Sequence, residues 1–227
     1  MVHINPAAYD EWYRTPFGSV CHRLERDALF SLADFRDGDR VLDAGCGTGV
    51  YMRELNGMGL NPVGVDADEG MLNYAASSCG RWALLAGARA EALPFKDASF
   101  DRVVSVCTLE FVAAPETAVR EMARMLKQGG ILLVGFLNGN STWAELRLEK
   151  AKDPSSVWHG VRFYTLAEIT GLAGKCGLRP RGFRSAVHFL PGSEGMSIDA
   201  LEALEEKSRL DTPSAAAFIA AAFRNSG

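Results

Sequence analysis

The stretch VLDAGCGTG, residues 41–49, decides how this chain folds: an apolar run, an acid, then glycine at every second position. Gly45, Gly47 and Gly49 can adopt positive φ and leave bare backbone for a ligand to approach. Residues 50–55 have helical spacing, so the glycines join a strand to a helix N-terminus, where free N–H groups face a pocket of nucleotide size. A flexible turn is the plainer reading of a glycine cluster taken alone. The apolar run 62–65, ending in Asp66, shifts the balance, because open α/β nucleotide folds place an acid there to accept hydrogen bonds from ribose hydroxyls.

Outward from this core, apolar runs at 40–42, 62–65, 82–86, 101–106 and 131–136 alternate with helical patterns at 50–55, 68–77 and 115–126. That alternation predicts βαβ units winding a mostly parallel sheet. The ligand crevice then falls at the carboxyl ends of the strands, beside Asp43 and Asp66. Residues 127–130, KQGG, read as a helix stop and tight turn into the fifth strand.

Upstream, residues 21–33 form an amphipathic helix with Leu24, Ala28, Leu29 and Leu32 on one face. Tyr9, Trp12, Tyr13 and Phe17 crowd the segment before it, where Pro16 and Gly18 are expected to break any long helix. This aromatic segment suits either a plug at one end of the core or a lid over a ligand. Downstream, residues 141–152 suit a helix, followed by the breaker DPSS (153–156), WHGVRFYT (158–165) and a further helix over 166–176. Such an insertion can cap a substrate pocket. The final segment, AAAFIAAAFR (215–224), has helical propensity, yet an open sheet of this topology predicts a strand paired antiparallel with residues around His188.

Composition narrows the partners. The 227 residues suit one α/β domain, and 24 Lys plus Arg against 28 Asp plus Glu give a net charge of −4. There is no broad basic field to hold nucleic acid. Cys21, Cys46, Cys79, Cys107 and Cys176 are dispersed with no C-x-x-C pair, which argues against a disulfide framework, a zinc knuckle or any other metal site, and suits a reducing cytoplasm. MVHINPAAYDEWY lacks the pattern of a signal peptide. No apolar run reaches the roughly 18 residues of a membrane span.

VLDAGCGTG, then VGVDADEGML, AEALPFKDASFDRVVSV and AVREMARMLKQGGILLVGF together resemble the successive motifs of class I S-adenosylmethionine-dependent methyltransferases, in particular the type 11 group. The likeness is specific over residues 9–136 and general beyond. It implies an α/β, Rossmann-like, doubly wound, seven-stranded and mostly parallel sheet with helices on both faces. The last strand would be antiparallel, and the chain (1–227) a single domain with an N-terminal lid (1–20) and a small cap (139–165).

By the same resemblance the cofactor is S-adenosylmethionine and the partner a small-molecule methyl acceptor, with a homodimer left open. Asp43 and the backbone of Gly45, Cys46 and Gly47 would hold the amino acid end of the cofactor, and Asp66 its ribose. Ala67 and Met71 would line the adenine face, the Ala90 N–H would meet the ring, and Cys107 and Thr108 would lie beside the methionine moiety. Tyr9, Tyr13 and Gly18 match a lid. Arg89 departs from the pattern, since relatives carry an acid there to accept from the adenine amino group and arginine only donates. Either Glu91, two residues on, would substitute, or the backbone alone would hold the adenine.

An activated methyl needs little acid–base machinery beyond positioning, although a phenol or amine acceptor must lose a proton. Glu110 is a candidate base, its plainer reading being a solvated loop acid. His159, in the aromatic cap, is the other, with packing as its plainer role. His22 and His188 read as structural or surface residues, as does His3. A nicotinamide dehydrogenase would prefer G-x-G-x-x-G, and a non-catalytic protein that binds S-adenosylmethionine or S-adenosylhomocysteine as a scaffold is the remaining alternative.

Overall fold

The computed structural model describes residues 5–211 and 215–227. His3 lies outside the described residues. Five strands alternate with helices as the periodicity predicts: β1 (Arg40–Ala44), α3 (Val50–Gly57), β2 (Asn61–Asp66), α4 (Glu69–Cys79), β3 (Leu84–Gly87), β4 (Phe100–Val106), α5 (Pro115–Met125) and β5 (Leu126–Leu137). Ahead of them stand α1 (Pro6–Trp12) and α2 (Pro16–Phe30). After them come α6 (Thr142–Lys150), α7 (Leu166–Lys175), β6 (Leu178–Ala186), α8 (Ile198–Asp211) and β7 (Phe218–Asn225). The seven strands lie in the order β3-β2-β1-β4-β5-β7-β6. β1 to β5 pair in parallel, and β7 runs antiparallel to both β5 and β6.

The chain winds outward from β1 to β3 and then returns to lay β4 on the other side of β1. That reversal leaves a crevice at the carboxyl ends of β1 and β4, the switch point where such sheets take ligands. One face of the sheet packs Ala118, Val119 and Met122 of α5 with Ile169 and Ala173 of α7. The other packs Val20 and Leu29 of α2 with Leu55 of α3 and Leu201 of α8.

β7 resolves the alanine-rich segment in favour of a strand. Ile219, Ala221 and Phe223 belong to one core and Phe218, Ala220 and Ala222 to the other, a period of two with both faces buried. Sheet pairing on both edges overrides the helical propensity of alanine. The ring of Phe218 fills the space a side chain at Gly135 would need, its Cζ standing 2.5 Å from where that Cβ would be.

The structure differs from the sequence expectations at four places. The helical segment is interrupted ahead of Pro16 as expected, with Pro16 opening α2 because proline is preorganised for a first helical turn, but Gly18 sits inside α2 and breaks nothing. Residues 127–130 are a bulge within β5: Leu126 pairs with Phe100 and pairing resumes only at Ile131 with Arg102. On its outer edge β7 pairs antiparallel with β6 as expected, but that strand ends at Ala186, two residues short of His188. Its sequence LRPRGFRSA did not read as a strand because a sheet edge tolerates arginine, proline and exposed faces. α8 was not anticipated, although Leu201 and Leu204 mark its packed face.

Candidate functional site

The glycine loop is built by β1 and β2 together. The N–H groups of Gly45 and Cys46 both donate to the Val65 carbonyl, at 2.7 and 2.9 Å. The Gly47 N–H donates to Asp66 Oδ2 at 2.8 Å, while Oδ1 of the same carboxylate accepts from Asp68 N–H at 2.9 Å. Gly45, Gly47 and Gly49 all have positive φ, at 86°, 52° and 80°. At Gly45 a Cβ would stand 2.2 Å from Thr108 Oγ1, so the β1 loop and the end of β4 touch through that glycine. Cys107 beside it also has positive φ, at 47°, a strained backbone of the kind found at ligand sites.

Beneath this loop lies a cavity of about 40 Å³ whose walls include Asp43, Gly45, Cys46, Gly47, Thr48, Val50, Tyr51, Val106 and Cys107, with Tyr9, Tyr13 and Glu25 closing it. Its volume is far below the roughly 300 Å³ and upward of ligand pockets, with Tyr9 of α1 and Tyr13 just after it standing in its wall. The Tyr9 and Tyr13 hydroxyls lie 2.8 Å apart, and Tyr13 packs edge-on against His22, which packs in turn on Tyr51. Gly18 lets α2 pack close to the end of α1, because a Cβ there would lie 1.9 Å from the Trp12 carbonyl oxygen.

Asp10 ties α1 to α3 and α4. Its buried carboxylate accepts from Arg53 Nη2 at 2.8 Å, from Arg14 Nη2 at 2.9 Å and from the Tyr74 hydroxyl at 3.2 Å. Asp10→Ala is expected to cost about 1–3 kcal/mol, the range for stranding a partly buried partner, and to speed ligand release about tenfold. A thermal melt and stopped-flow displacement would check both.

Six buried polar side-chain atoms among the described residues have no hydrogen-bond partner: His22 Nδ1, Asp43 Oδ2, Thr48 Oγ1, Tyr51 OH, Glu110 Oε2 and Arg147 Nη1. Asp43, Thr48 and Tyr51 line the cavity, and His22 packs on Tyr51. Buried polar groups are normally satisfied, so this concentration marks a place shaped for a polar ligand.

Burial, reinforced by the charge of Asp66, raises Asp43 from 3.8 to about 7. Burial likewise raises Glu25 from 4.5 to about 8, against the pull of Arg147. Glu110 is held at about 7 by burial, although its Oε1 accepts from Leu137 N–H at 2.8 Å. It is a buried residue, 2% exposed, not a solvated loop acid, because the turn Leu109–Phe111 folds it back under β5. Burial also lifts the Cys107 thiol well above its ordinary value.

Of the sequence-predicted residues, Tyr9, Tyr13, Asp43, Gly45, Cys46, Gly47 and Cys107 meet at the cavity, with Asp66 and Thr108 in contact with its loop. Met71 and Ala90 are buried, Ala67 is exposed, and none of these three lines the cavity. Glu91 Oε1 accepts from Arg89 Nη2 at 2.8 Å. Burial pushes Glu91 upward, but Arg89 and backbone hydrogen bonds prevail and hold it below its ordinary value. His159 is exposed, with Nδ1 3.0 Å from the Ala151 carbonyl oxygen, and is not brought to the cavity.

Sequence reasoning missed Glu25, Thr48, Tyr51 and Asp10. Glu25 carried a usable signal: it falls at helical spacing between Cys21 and Leu29, both buried, so an acid stands on the inward stripe of α2. Nothing marked Asp10, whose partners Arg53 and Tyr74 come from α3 and α4 and whose third, Arg14, follows α1.

The methyltransferase domain family model matches residues 42–134. An uncharacterized protein of Mycobacterium tuberculosis is 35% identical over 194 residues, covering 86% of this chain, and this chain spans 65% of that relative's length. The ubiquinone biosynthesis O-methyltransferase of Dinoroseobacter shibae is 33% identical over 171 residues, covering 71% of this chain and 68% of that protein. A solved S-adenosylmethionine-dependent methyltransferase from Thermotoga maritima superposes with a TM-score of 0.71 over 97% of this chain and 95% of its own, at 22% identity, a likeness of fold.

Proposed function

Because this chain belongs to the class I S-adenosylmethionine-dependent methyltransferases, we propose that it transfers a methyl group from S-adenosylmethionine to a small-molecule acceptor by in-line displacement. The observation that carries this reading is the set of unpartnered polar atoms gathered around the glycine loop. A zwitterionic amino acid attached to a nucleoside offers the donors and acceptors that these atoms lack. The carboxylate of Asp66, already turned toward the Gly47 N–H, suits ribose hydroxyls, and Asp43 suits an ammonium group.

When bound, the cofactor supplies a methyl group already activated for nucleophilic attack. The protein's residues then have three tasks. The glycine loop and Thr108 fix position, α1 with Tyr9 and Tyr13 excludes water, and a carboxyl group takes up the acceptor's proton. Glu110, held at about 7 with Oε2 unpartnered, and Glu25, at about 8 in the cavity wall, are the two groups matched to that last task near neutral pH. Glu110 keeps its proposed role as base, joined by Glu25, while His159 is too far into solvent to share it. The D. shibae relative's O-methyltransferase activity supports an oxygen acceptor.

S-Adenosylmethionine and S-adenosylhomocysteine are expected to raise the melting temperature and NAD to leave it unchanged, since ligands that bind only the native state stabilise it. Asp66→Ala should weaken S-adenosylhomocysteine binding about 10- to 100-fold in calorimetry, the range for lost hydrogen bonds to a charged group. Formation of S-adenosylhomocysteine in a screen of metabolite extracts separates an enzyme from a binding scaffold. A thermal shift with NAD alone would sink the proposal.

A further inference from the structure

Arg147 is the one basic group with an unpartnered buried nitrogen among the described residues apart from the His22 ring. It stands on α6, one turn after Trp143, and its guanidinium carbon lies 5.4 Å from the Trp143 ring centroid and 4.8 Å from that of Trp158. Trp143 is itself fixed, donating Nε1–H to the Phe189 carbonyl at 2.8 Å. The charge of Arg147 is felt by Cys107, Glu25, Cys21 and Glu110, so it lies on the side of the site where a proton would be taken up. Neither Glu25 nor Glu110 forms an ion pair with it among the described residues.

A guanidinium nitrogen buried without a hydrogen-bond partner, as Arg147 Nη1 is, is costly, and folds retain one where a partner arrives. The two indole faces partly offset that cost and leave the guanidinium fork free for a planar anion. A single guanidinium between apolar walls matches a carboxylate, whereas a phosphate dianion calls for more donors. Arg147 does not line the cavity beneath the glycine loop, which separates it from the place proposed for the cofactor's amino acid end.

We propose, on the footing of the methyltransferase reading above, that Arg147 anchors a carboxylate carried by the methyl acceptor, with Trp143 and Trp158 as the walls of that subsite. The acceptor is then an organic acid whose apolar body lies against the indoles.

The test titrates the protein, saturated with S-adenosylhomocysteine, with benzoate and benzamide and with hexanoate and hexanamide. Tryptophan fluorescence and calorimetry are the readouts. The acids are expected to bind at least about tenfold more tightly than their amides, a difference of about 1.4 kcal/mol. Arg147→Gln is expected to erase that preference while leaving S-adenosylhomocysteine affinity within about twofold. Arg147→Lys, which keeps the charge and loses the fork, should retain a weaker preference and covers the case in which the glutamine variant does not fold. Equal binding of acid and amide, or binding of neither by the wild type up to about 10 mM, overturns the proposal. So does a loss of S-adenosylhomocysteine affinity in Arg147→Gln, which would assign the guanidinium to the cofactor's own carboxylate. If wild type binds no S-adenosylhomocysteine, the methyltransferase reading fails, and the same benzoate titration on the free protein still reads the Arg147 subsite.

Discussion

Gly47→Ala is expected to lose S-adenosylhomocysteine affinity by about 100-fold while melting within a few degrees of the wild type. Gly49→Ala should do the reverse, and Gly45→Ala should lose both. The three glycines share positive φ, so each alanine variant carries a backbone cost of roughly 1–2 kcal/mol. They differ in what a side chain would meet. At Gly47 nothing lies within 4 Å of the Cβ position, and that residue lines the cavity. The methyl group would therefore stand in the space proposed for the ligand, with nothing in the protein to strike. At Gly49 the Cβ would lie 2.6 Å from Cys79 Sγ and 3.4 Å from Ala75 Cβ, in the packing between α3 and α4. At Gly45 it would strike Thr108 at 2.2 Å, which forces the β1 loop away from the end of β4, and overpacking of this kind adds about 1–3 kcal/mol. Calorimetry and thermal melts on the three variants read ligand space and fold space separately. Equal affinity losses across the series would mean that the loop's shape alone matters and that Gly47 faces no ligand.

The sheet was legible in the sequence wherever local pattern and tertiary role agreed. Residues 41–49 and 62–66 name the switch point because glycine and aspartate there answer to backbone geometry that few other residues satisfy. The alanines of β7 were legible only through topology, since their propensity points to helix. β6 escaped because its arginines and Pro180 are the means by which a sheet edge avoids pairing with other chains.

The site divided along a similar line. Asp43, Asp66 and the loop glycines sit within one βαβ unit and could be read from spacing. Asp10 with Arg53 and Tyr74, Glu25 with Cys107, and Arg147 with Trp158 join residues from distant elements, and no periodicity within one segment reports such a meeting. Glu110 shows the gap most clearly. An acid after a strand reads as solvated until the fold places the Leu137 N–H over one of its oxygens.

Three carboxyl groups held above their ordinary values give the second large expectation: the ligand-free protein should be most stable near pH 5 and lose stability as pH rises to 8. Burial raises Asp43 from 3.8 to about 7, Glu110 from 4.5 to about 7 and Glu25 from 4.5 to about 8. Between about pH 4 and 8 the folded state thus holds protons that the unfolded chain has released, so unfolding becomes easier as pH rises. The full stability belongs to the protonated side, below the unfolded values, and is lost once each group ionises in the folded state. For Asp43 alone the difference is on the order of 4 kcal/mol. His22, held below 6.5 chiefly by burial, works the other way over part of this window, as one group against three. Below about pH 4 the carboxylates held low, Glu121 by Arg124 and Glu168 by its Thr165 cap, are protonated and their contribution is lost. Differential scanning calorimetry from pH 5 to 8 should show the melting temperature falling by more than about 10 °C. Asp43→Asn removes the buried charge without changing shape, so it should melt above the wild type at pH 8 and close to it at pH 5. It should also lose S-adenosylhomocysteine affinity by about 100-fold, because the ionised carboxylate that destabilises the free protein is the one proposed to meet the ligand's ammonium group. A variant that melts below the wild type at pH 8 would show that the Asp43 charge is already satisfied within the protein, and would remove the reason to place an ammonium group against it.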